Sequence, residues 1–236
     1  RGVYVIDADD GGARALTGEH SFGRLALAGE DAVLVGLRQS FVEPNTLVRI
    51  DPRRGTVTKL STFNDEVLAG VDFGTYESVT YEGANGEEVQ MWINYPPGFD
   101  RSRKWPLYLL LHGGPHNGIT DSFHYRWNAQ MFAAQGAVVA YVNPTGSTGY
   151  GQALTDAISK DWGGRCYDDI MLAVDFLVQQ FEFIDPDRLT AAGASFGGYM
   201  VNWILGHTDR FKALVCHDGI FISDTMSYST EELWFE

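Results

Sequence analysis

Short apolar runs and helix-spaced apolar residues alternate along the chain from residue 106 onward. A continuous apolar run predicts a strand that is buried on both faces, and apolar residues three and four positions apart predict the inner face of a helix. The predicted strands lie at residues 106–111, 137–142, 189–192 and 212–216, and the predicted helices at 127–134, 168–180 and 199–205. Because strands alternate with helices, we predict an α/β domain with a parallel sheet and helices on both of its faces.

A hairpin is predicted ahead of this alternation. The strand-like residues 78–81 and 89–95 flank Asn85-Gly86, a pair that is typical of tight hairpin turns. Residues 63–75 show no such pattern and are interpreted as a linker. We therefore place the α/β domain at residues 76–236.

The first 62 residues contain a repeat with a period of 44. Identical residues recur at this offset in four places: Ile6 and Ile50, Asp7 and Asp51, Gly11 and Gly55, and Leu16 and Leu60. Each copy has the pattern of a strand, a polar turn and a strand, and two more strand-like runs lie between the copies. Four short strands per 40–45 residues are typical of a β-propeller blade. Residues 1–62 are therefore predicted to be the C-terminal blades of a propeller whose other blades precede Arg1; a small β-sandwich is the alternative.

Composition narrows the range of partners. The chain has 31 acidic and 17 basic residues, a net charge of −14, which disfavours nucleic acids and anionic membranes as partners, although solubility alone also accounts for it. No apolar run approaches the length of about 18 residues that a membrane span needs. Cys166 and Cys216 form no C-x-x-C pair, so we expect no metal and no cofactor, and both thiols are expected to be buried. The compartment, cytoplasm or periplasm, and assembly into a homo-oligomer stay open.

The sequence Gly193-Ala194-Ser195-Phe196-Gly197 lies between a predicted strand and a predicted helix. This is the G-x-S-x-G pattern in the context of a nucleophile elbow, in which small residues let a strand reverse sharply into a helix. Ser195 is therefore the predicted catalytic nucleophile. The alternative is a glycine-rich loop that contains a serine by chance.

A serine that attacks a carbonyl group needs hydrogen-bond donors for the oxyanion that forms. We expect one donor to be the backbone N–H of Phe196, directly after the nucleophile. The second is expected in the loop His112-Gly113-Gly114-Pro115, which follows the strand at residues 106–111, and Gly114 is the predicted donor. An ordinary tight turn is the alternative for this loop.

The base that would activate Ser195 is not evident. In this fold an Asp or Glu and then a His follow the nucleophile. His207 and His217 are the histidines after Ser195. His207 lies at a helix end, and His217 has only Asp209 as a preceding acid of the required order, so we assign neither as the base. The catalytic Asp and His are expected after Glu236, and the chain alone is expected to be inactive.

Four motifs together resemble the prolyl oligopeptidase family, and its acylaminoacyl-peptidase and dipeptidyl-peptidase branch in particular. They are the elbow from Gly193 to Tyr199, His112-Gly113-Gly114-Pro115-His116, Gly146-Ser147-Thr148-Gly149-Tyr150-Gly151 and Asp161-Trp162-Gly163-Gly164. The resemblance implies a propeller followed by an α/β-hydrolase domain, Ser195 as nucleophile, Phe196 and Gly114 as oxyanion donors, and short peptides as substrates. Thr145 departs from the family pattern, which often has Arg there, so that loop is expected to be held differently.

Other residues are candidates for substrate binding. The stretch Thr230–Phe235 resembles a segment of bacterial dipeptidyl peptidases, and its Glu231 and Glu232 would bind a substrate's α-amino group; two solvated acids are the alternative. Phe221, Met226 and Trp234 would line an apolar specificity pocket. Asp168 and Asp169 are interpreted as first-turn carboxylates favoured by the helix dipole.

Two other functions remain open for the same sequence. A carboxylesterase or lipase uses the same elbow, and a degenerate hydrolase domain could serve as a non-enzymatic interaction protein.

Overall fold

The computed structural model describes residues 2–29 and 33–230, and strands and helices follow one another along them. The strands are β1 (Tyr4–Ile6), β2 (Ala13–Ala15), β3 (Ser21–Ala28), β4 (Val33–Gln39), β5 (Thr46–Ile50), β6 (Val57–Lys59), β7 (Tyr76–Glu82), β8 (Glu88–Asn94), β9 (Trp105–Leu111), β10 (Val138–Asn143), β11 (Ile184–Ala194) and β12 (Ala213–His217). The helices are α1 (Asp65–Leu68), α2 (Ala129–Ala133), α3 (Gln152–Asp156), α4 (Arg165–Gln180), α5 (Phe196–His207) and α6 (Ser223–Ser229). The α/β class predicted from the sequence is confirmed.

The chain divides into two units. The first comprises Arg1–Phe73 together with Thr120–Gln130, and the second comprises Gly74–Ile119 and Met131–Glu236. The assignment of residues 1–62 to propeller blades and of 63–75 to a linker stays a prediction, and the short helix α1 lies within that predicted linker.

The first unit consists of antiparallel strands. β1 pairs with β2, and β3, β4, β5 and β6 form a four-stranded meander in chain order. Its small core is formed by Val3, Leu16, Val48 and Ile50. Alternate residues of β5 are buried, which is the pattern of a strand with one face on a core.

The 44-residue repeat corresponds to two equivalent hairpins, β1–β2 and β5–β6. In the first turn the Gly11 N–H donates to the Asp7 carbonyl over 3.0 Å, and in the second the Gly55 N–H donates to the Asp51 carbonyl over 2.8 Å. Both glycines have a φ near +70°, which glycine adopts without steric cost. The repeat in the sequence therefore encodes one hairpin geometry twice.

A segment distant in sequence completes the first unit. Within Thr120–Gln130, the buried Asp121 accepts a hydrogen bond from the Phe41 N–H at 2.9 Å and bonds His20 Nδ1 at 2.9 Å. A carboxylate that is removed from water needs such partners. The chain thus leaves the second unit after Ile119 and returns to it at Met131.

The second unit contains a six-stranded sheet in the order β12-β11-β9-β10-β8-β7. β9, β10, β11 and β12 are mutually parallel, whereas β8 is antiparallel to both β7 and β10. The four strands predicted to be parallel are therefore confirmed as parallel, and the predicted hairpin around Asn85-Gly86 is confirmed as the antiparallel pair β7–β8. The sequence did not indicate that this hairpin joins the same sheet through β8 and β10.

The core of the second unit lies against this sheet. β10 is buried along its whole length, and α4 turns its apolar side chains inward: Ile170, Ala173, Val174 and Leu177. α4 begins three residues before the predicted start at Asp168. Among the described residues, no helix is long and apolar enough to cross a membrane.

Candidate active site

Ser195 occupies a sharp turn between β11 and α5. Its φ of 56° and ψ of −120° lie in a region that non-glycine residues rarely adopt. A methyl group on Gly193 would lie 2.3 Å from the Gly197 carbonyl oxygen, and one on Gly197 would lie 2.1 Å from the Leu111 carbonyl oxygen. α5 approaches β11 too closely for any side chain at Gly193, and it approaches β9 too closely for one at Gly197, so the G-x-S-x-G spacing follows from contact distances.

The sheet register brings Ser195 to the loop that follows β9. Gly193 of β11 pairs with Leu111 of β9, and the two strands are parallel, so both end at the same edge of the sheet. A methyl group on Gly113 would lie 3.1 Å from Ser195 Cβ and 3.7 Å from Ser195 Oγ. Gly113 of the glycine loop and Ser195 of the elbow, 82 residues apart in sequence, are therefore in direct contact.

Each of the two predicted oxyanion donors directly follows a residue of this contact in the sequence. Phe196 is buried and is the first residue of α5, where backbone N–H groups have no partner within the helix. Gly114 follows the residue that touches Ser195, and its φ of +134° is one that side chains rarely allow. The roles of both residues as donors stay predictions.

His112 is buried at the base of the glycine loop. Its Nδ1 lies 2.9 Å from the Gly113 carbonyl oxygen, and its Nε2 lies 3.0 Å from Ser147 Oγ. Burial lowers the pKa of His112, and the hydrogen bond to Gly113 opposes this only in part. The imidazole is therefore neutral at pH 7 and holds the loop; the sequence alone did not indicate this role.

The loop after β10 supports the glycine loop from a second side. The Thr148 N–H donates to the Asn117 carbonyl over 2.7 Å. The buried Asn143 accepts from the Ile119 N–H over 2.7 Å and donates to Tyr150 Oη over 2.9 Å. Both ends of the segment from Gly113 to Ile119 are thus fixed by hydrogen bonds.

Asp169 is not one of the first-turn carboxylates of α4, contrary to its interpretation from the sequence. It is 2% exposed and accepts hydrogen bonds from the Ala84 N–H at 2.8 Å and from the Thr145 N–H and Oγ1 at 2.8 and 2.6 Å. It therefore links α4 to the β7–β8 turn and to the loop after β10. Asp168 is exposed in the first turn of α4, as expected. Thr145, expected to be held differently from Arg, is held by this carboxylate.

The two histidines after Ser195 are also located. His207 Nδ1 bonds the Trp203 carbonyl oxygen at 2.7 Å, and its ring stacks on Trp203. His217 Nδ1 lies 3.2 Å from the exposed Asp218 carboxylate, and its carbonyl accepts the Ser195 N–H at 3.1 Å. Within residues 2–29 and 33–230 the Ser195 hydroxyl makes no hydrogen bond to either ring.

The substrate-binding candidates are only partly described. Glu231, Glu232 and Trp234 lie outside the described residues. Phe221 is 77% exposed and contributes to a groove beside α5, whose lining also includes Tyr199, Asn202, Trp203 and His207.

Cys166 is buried as predicted, whereas Cys216 is exposed, because its strand β12 is at the edge of the sheet. No cluster of potential metal ligands occurs among the described residues.

Comparison with known proteins agrees with this geometry. Residues 123–236, which include the elbow, match the model of the prolyl oligopeptidase family. The matched residues make up just under half of the chain. The resemblance seen in the motifs is thereby confirmed.

Similarity to known proteins extends over most of the chain. Dipeptidyl-peptidase 5 of Schizosaccharomyces pombe is 39% identical over 226 residues, which cover 93% of this chain and 32% of the relative. The Pyrococcus horikoshii acylaminoacyl peptidase superposes with a TM-score of 0.85 at 26% identity, over 99% of this chain and 37% of that one. An acylaminoacyl peptidase in complex with Z-Gly-Gly-Phe-chloromethyl ketone superposes with a TM-score of 0.80, also at 26% identity. The superposition covers 99% of this chain and 36% of that one. The chain therefore spans about a third of the length of these relatives.

Proposed function

We propose that the protein containing this chain is a serine peptidase that hydrolyses short peptides through an acyl-enzyme on Ser195. The observation that carries the proposal is the contact between the elbow and the glycine loop. Ser195 has the φ of 56° of a strained turn, and the backbone of Gly113 lies against its side chain. Strain of this kind concentrates at functional sites.

The chemistry follows from these groups. Ser195 Oγ attacks the carbonyl carbon of the scissile bond while a general base takes the hydroxyl proton. The carbonyl oxygen becomes an oxyanion and accepts hydrogen bonds from the N–H groups of Phe196 and Gly114, each worth about 3–4 kcal/mol in the transition state. The amine then leaves with a proton, and water hydrolyses the ester on Ser195 to release the acid and restore the hydroxyl.

The comparisons support a peptide substrate. The relatives are named dipeptidyl-peptidase 5 and acylaminoacyl peptidase, and one solved acylaminoacyl peptidase is bound to a peptide chloromethyl ketone. We further propose that residues 1–62 are propeller blades that restrict access to short chains, and that Glu231 and Glu232 bind a free α-amino group. Phe221 and Trp234 would then contact the side chains of the substrate.

The test uses the full-length protein and three chromogenic substrates, two anilides with the same leaving group and one ester. They are a dipeptidyl p-nitroanilide with a free amino terminus, its N-acetylated form and p-nitrophenyl butyrate. We expect the wild-type protein to hydrolyse an anilide and to be labelled by a fluorophosphonate. Both reactions should be lost in Ser195→Ala. The preference between the free and acetylated anilides distinguishes dipeptidyl from acylaminoacyl release.

Two outcomes would contradict the proposal. Hydrolysis of the ester alone would indicate a carboxylesterase on the same scaffold. A folded full-length protein that reacts with neither the substrates nor the fluorophosphonate would have no activated serine, which would indicate an interaction protein.

A further inference from the structure

The imidazole of His112 contacts the peptide that connects the two glycines of the loop beside Ser195. Its Nδ1 lies 2.9 Å from the Gly113 carbonyl oxygen, and its Nε2 lies 3.0 Å from Ser147 Oγ. A carbonyl oxygen can only accept, so Nδ1 must carry the proton. In the neutral ring Nε2 is then an acceptor, and the Ser147 hydroxyl donates to it. Both hydrogen bonds are satisfied by a single tautomer.

The hydrogen bond at Nδ1 determines which way the next N–H points. The carbonyl of Gly113 and the N–H of Gly114 belong to the same trans peptide group, in which the two bonds point in opposite directions. When His112 holds the carbonyl on one side, the N–H of Gly114 must point away from the imidazole. We propose that His112 is a positioning residue that fixes this peptide plane and so directs the Gly114 N–H towards the oxyanion. The inference rests on the proposed function of Ser195.

A glycine pair needs such a restraint. Glycine populates both signs of φ with similar ease, so the peptide between Gly113 and Gly114 could rotate at little steric cost. Rotation by half a turn would exchange the N–H donor for a carbonyl oxygen, which would repel a developing anion instead of stabilising it. The cost of losing one donor of this kind is a factor of about 100–1,000 in kcat.

The restraint is itself anchored in the core of the second unit. Ser147 is fully buried, and its N–H donates to the Pro144 carbonyl over 2.9 Å. Its own carbonyl accepts a hydrogen bond from Thr155 Oγ1 at 3.0 Å. The partner of the imidazole is therefore held in place by backbone contacts. Burial lowers the pKa of His112, which keeps the ring neutral, so that Nε2 remains an acceptor for the Ser147 hydroxyl.

Two substitutions separate the two ring nitrogens. His112→Asn places an amide N–H close to the position of Nδ1 and can still donate to Gly113. His112→Gln places its amide near Nε2, where it can contact Ser147, and leaves the Gly113 carbonyl without its donor. The exposed His124, which is not part of the glycine loop, offers the same substitution, His124→Gln, as a control.

The experiment measures kcat and KM of the full-length variants on the substrate that the wild-type protein hydrolyses best. We expect His112→Gln to lower kcat about 100-fold or more with KM changed less than about three-fold, because the contact acts on the transition state. The kcat of His112→Asn is expected to be at least ten-fold higher than that of His112→Gln. In both variants the affinity for a peptide boronate should fall in parallel with kcat/KM. His124→Gln should leave kcat unchanged.

Equal kcat in His112→Gln and the wild-type protein would overturn the inference while leaving the role of Ser195 intact. A loss in His112→Asn as large as in His112→Gln, with melting temperatures equal to that of the wild type, would also overturn it. If His112→Gln does not fold, His112→Asn decides alone, since a 100-fold loss of kcat there contradicts the role of Nδ1. An inactive wild-type protein would instead refute the proposed function.

Discussion

Replacement of Asp169 by Ala tests whether this buried carboxylate holds the loops of the second unit in place. The substitution removes the acceptor of three hydrogen bonds, from the Ala84 N–H and from the N–H and hydroxyl of Thr145. Thr145 is 2% exposed, so its two donors are left without water, whereas the half-buried Ala84 amide can be solvated. The perturbation therefore falls mainly on the loop after β10.

The magnitude follows from these contacts. A buried donor left unsatisfied costs about 1–3 kcal/mol, so the two donors of Thr145 together cost about 2–6 kcal/mol. Removal of a desolvated charge returns part of this, and we expect a net loss of about 3 kcal/mol in the free energy of unfolding. In a unit of this size 1 kcal/mol lowers the melting temperature by about 2–4 °C, which gives a decrease of about 6–12 °C.

Differential scanning calorimetry of the full-length protein measures the melting temperature, and hydrogen exchange reports on the amides of Ala84 and Thr145, which should exchange faster. Asp168→Ala is the matched control, since this neighbouring carboxylate is exposed. Loss of its interaction with the helix dipole costs about 0.5 kcal/mol, or about 1–2 °C. A melting temperature of Asp169→Ala within 2 °C of this control, with unchanged exchange at both amides, would refute the reasoning.

Three further predictions concern single residues. In Gly197→Ala the added methyl group would lie 2.1 Å from the Leu111 carbonyl oxygen, so the elbow must shift. We expect fluorophosphonate labelling to slow by a factor on the order of 100, and a rate equal to that of the wild type would contradict this. Because the pKa of His112 is lowered in the folded protein, the unfolded chain takes up a proton at this residue first as the pH falls below about 6.5, and the folded state loses stability. The melting temperature of His112→Asn should therefore depend less steeply on pH than that of the wild type between about pH 6.5 and 5. An unchanged slope would show that His112 does not titrate in this way. Burial raises the pKa of the Cys166 thiol well above its usual range, so iodoacetamide at pH 8 should modify it only after denaturation, as mass spectrometry of the peptide would show; modification of the native protein would contradict its burial.

The sequence was most informative where structure depends on local sterics. The spacing of Gly193, Ser195 and Gly197 predicts the elbow, and the contact that excludes a side chain at Gly193 is with Gly197, four residues away. The contact that excludes one at Gly197 is with Leu111 of β9. The contact between Ser195 and Gly113 agrees with the prediction that the loop His112-Gly113-Gly114-Pro115 lies beside the nucleophile, and it forms because the parallel strands β9 and β11 end at one edge of the sheet.

Other features depend on residues far apart in sequence and could not be read from a local pattern. Asp169 has the local context of a helix start, but its partners Ala84 and Thr145 are 85 and 24 residues away. The tautomer of His112 depends on Ser147, which is 35 residues away. The antiparallel direction of β8 against β10 is likewise a pairing between strands that are not consecutive in the chain. In each case the sequence shows the residue but not the neighbour that defines its role.

The path of the chain through Thr120–Gln130 has a consequence for dissecting this protein. A cut at the boundary between Phe73 and Gly74 does not separate the two units, because a polypeptide starting at Gly74 carries this segment along. In such a truncated polypeptide the carboxylate of Asp121 loses the Phe41 amide and the His20 ring that satisfy it. Independent expression of the second unit therefore requires that the segment Thr120–Gln130 be shortened or that its polar side chains be replaced. Gene truncation at a single site therefore yields the second unit with a segment of the first still attached.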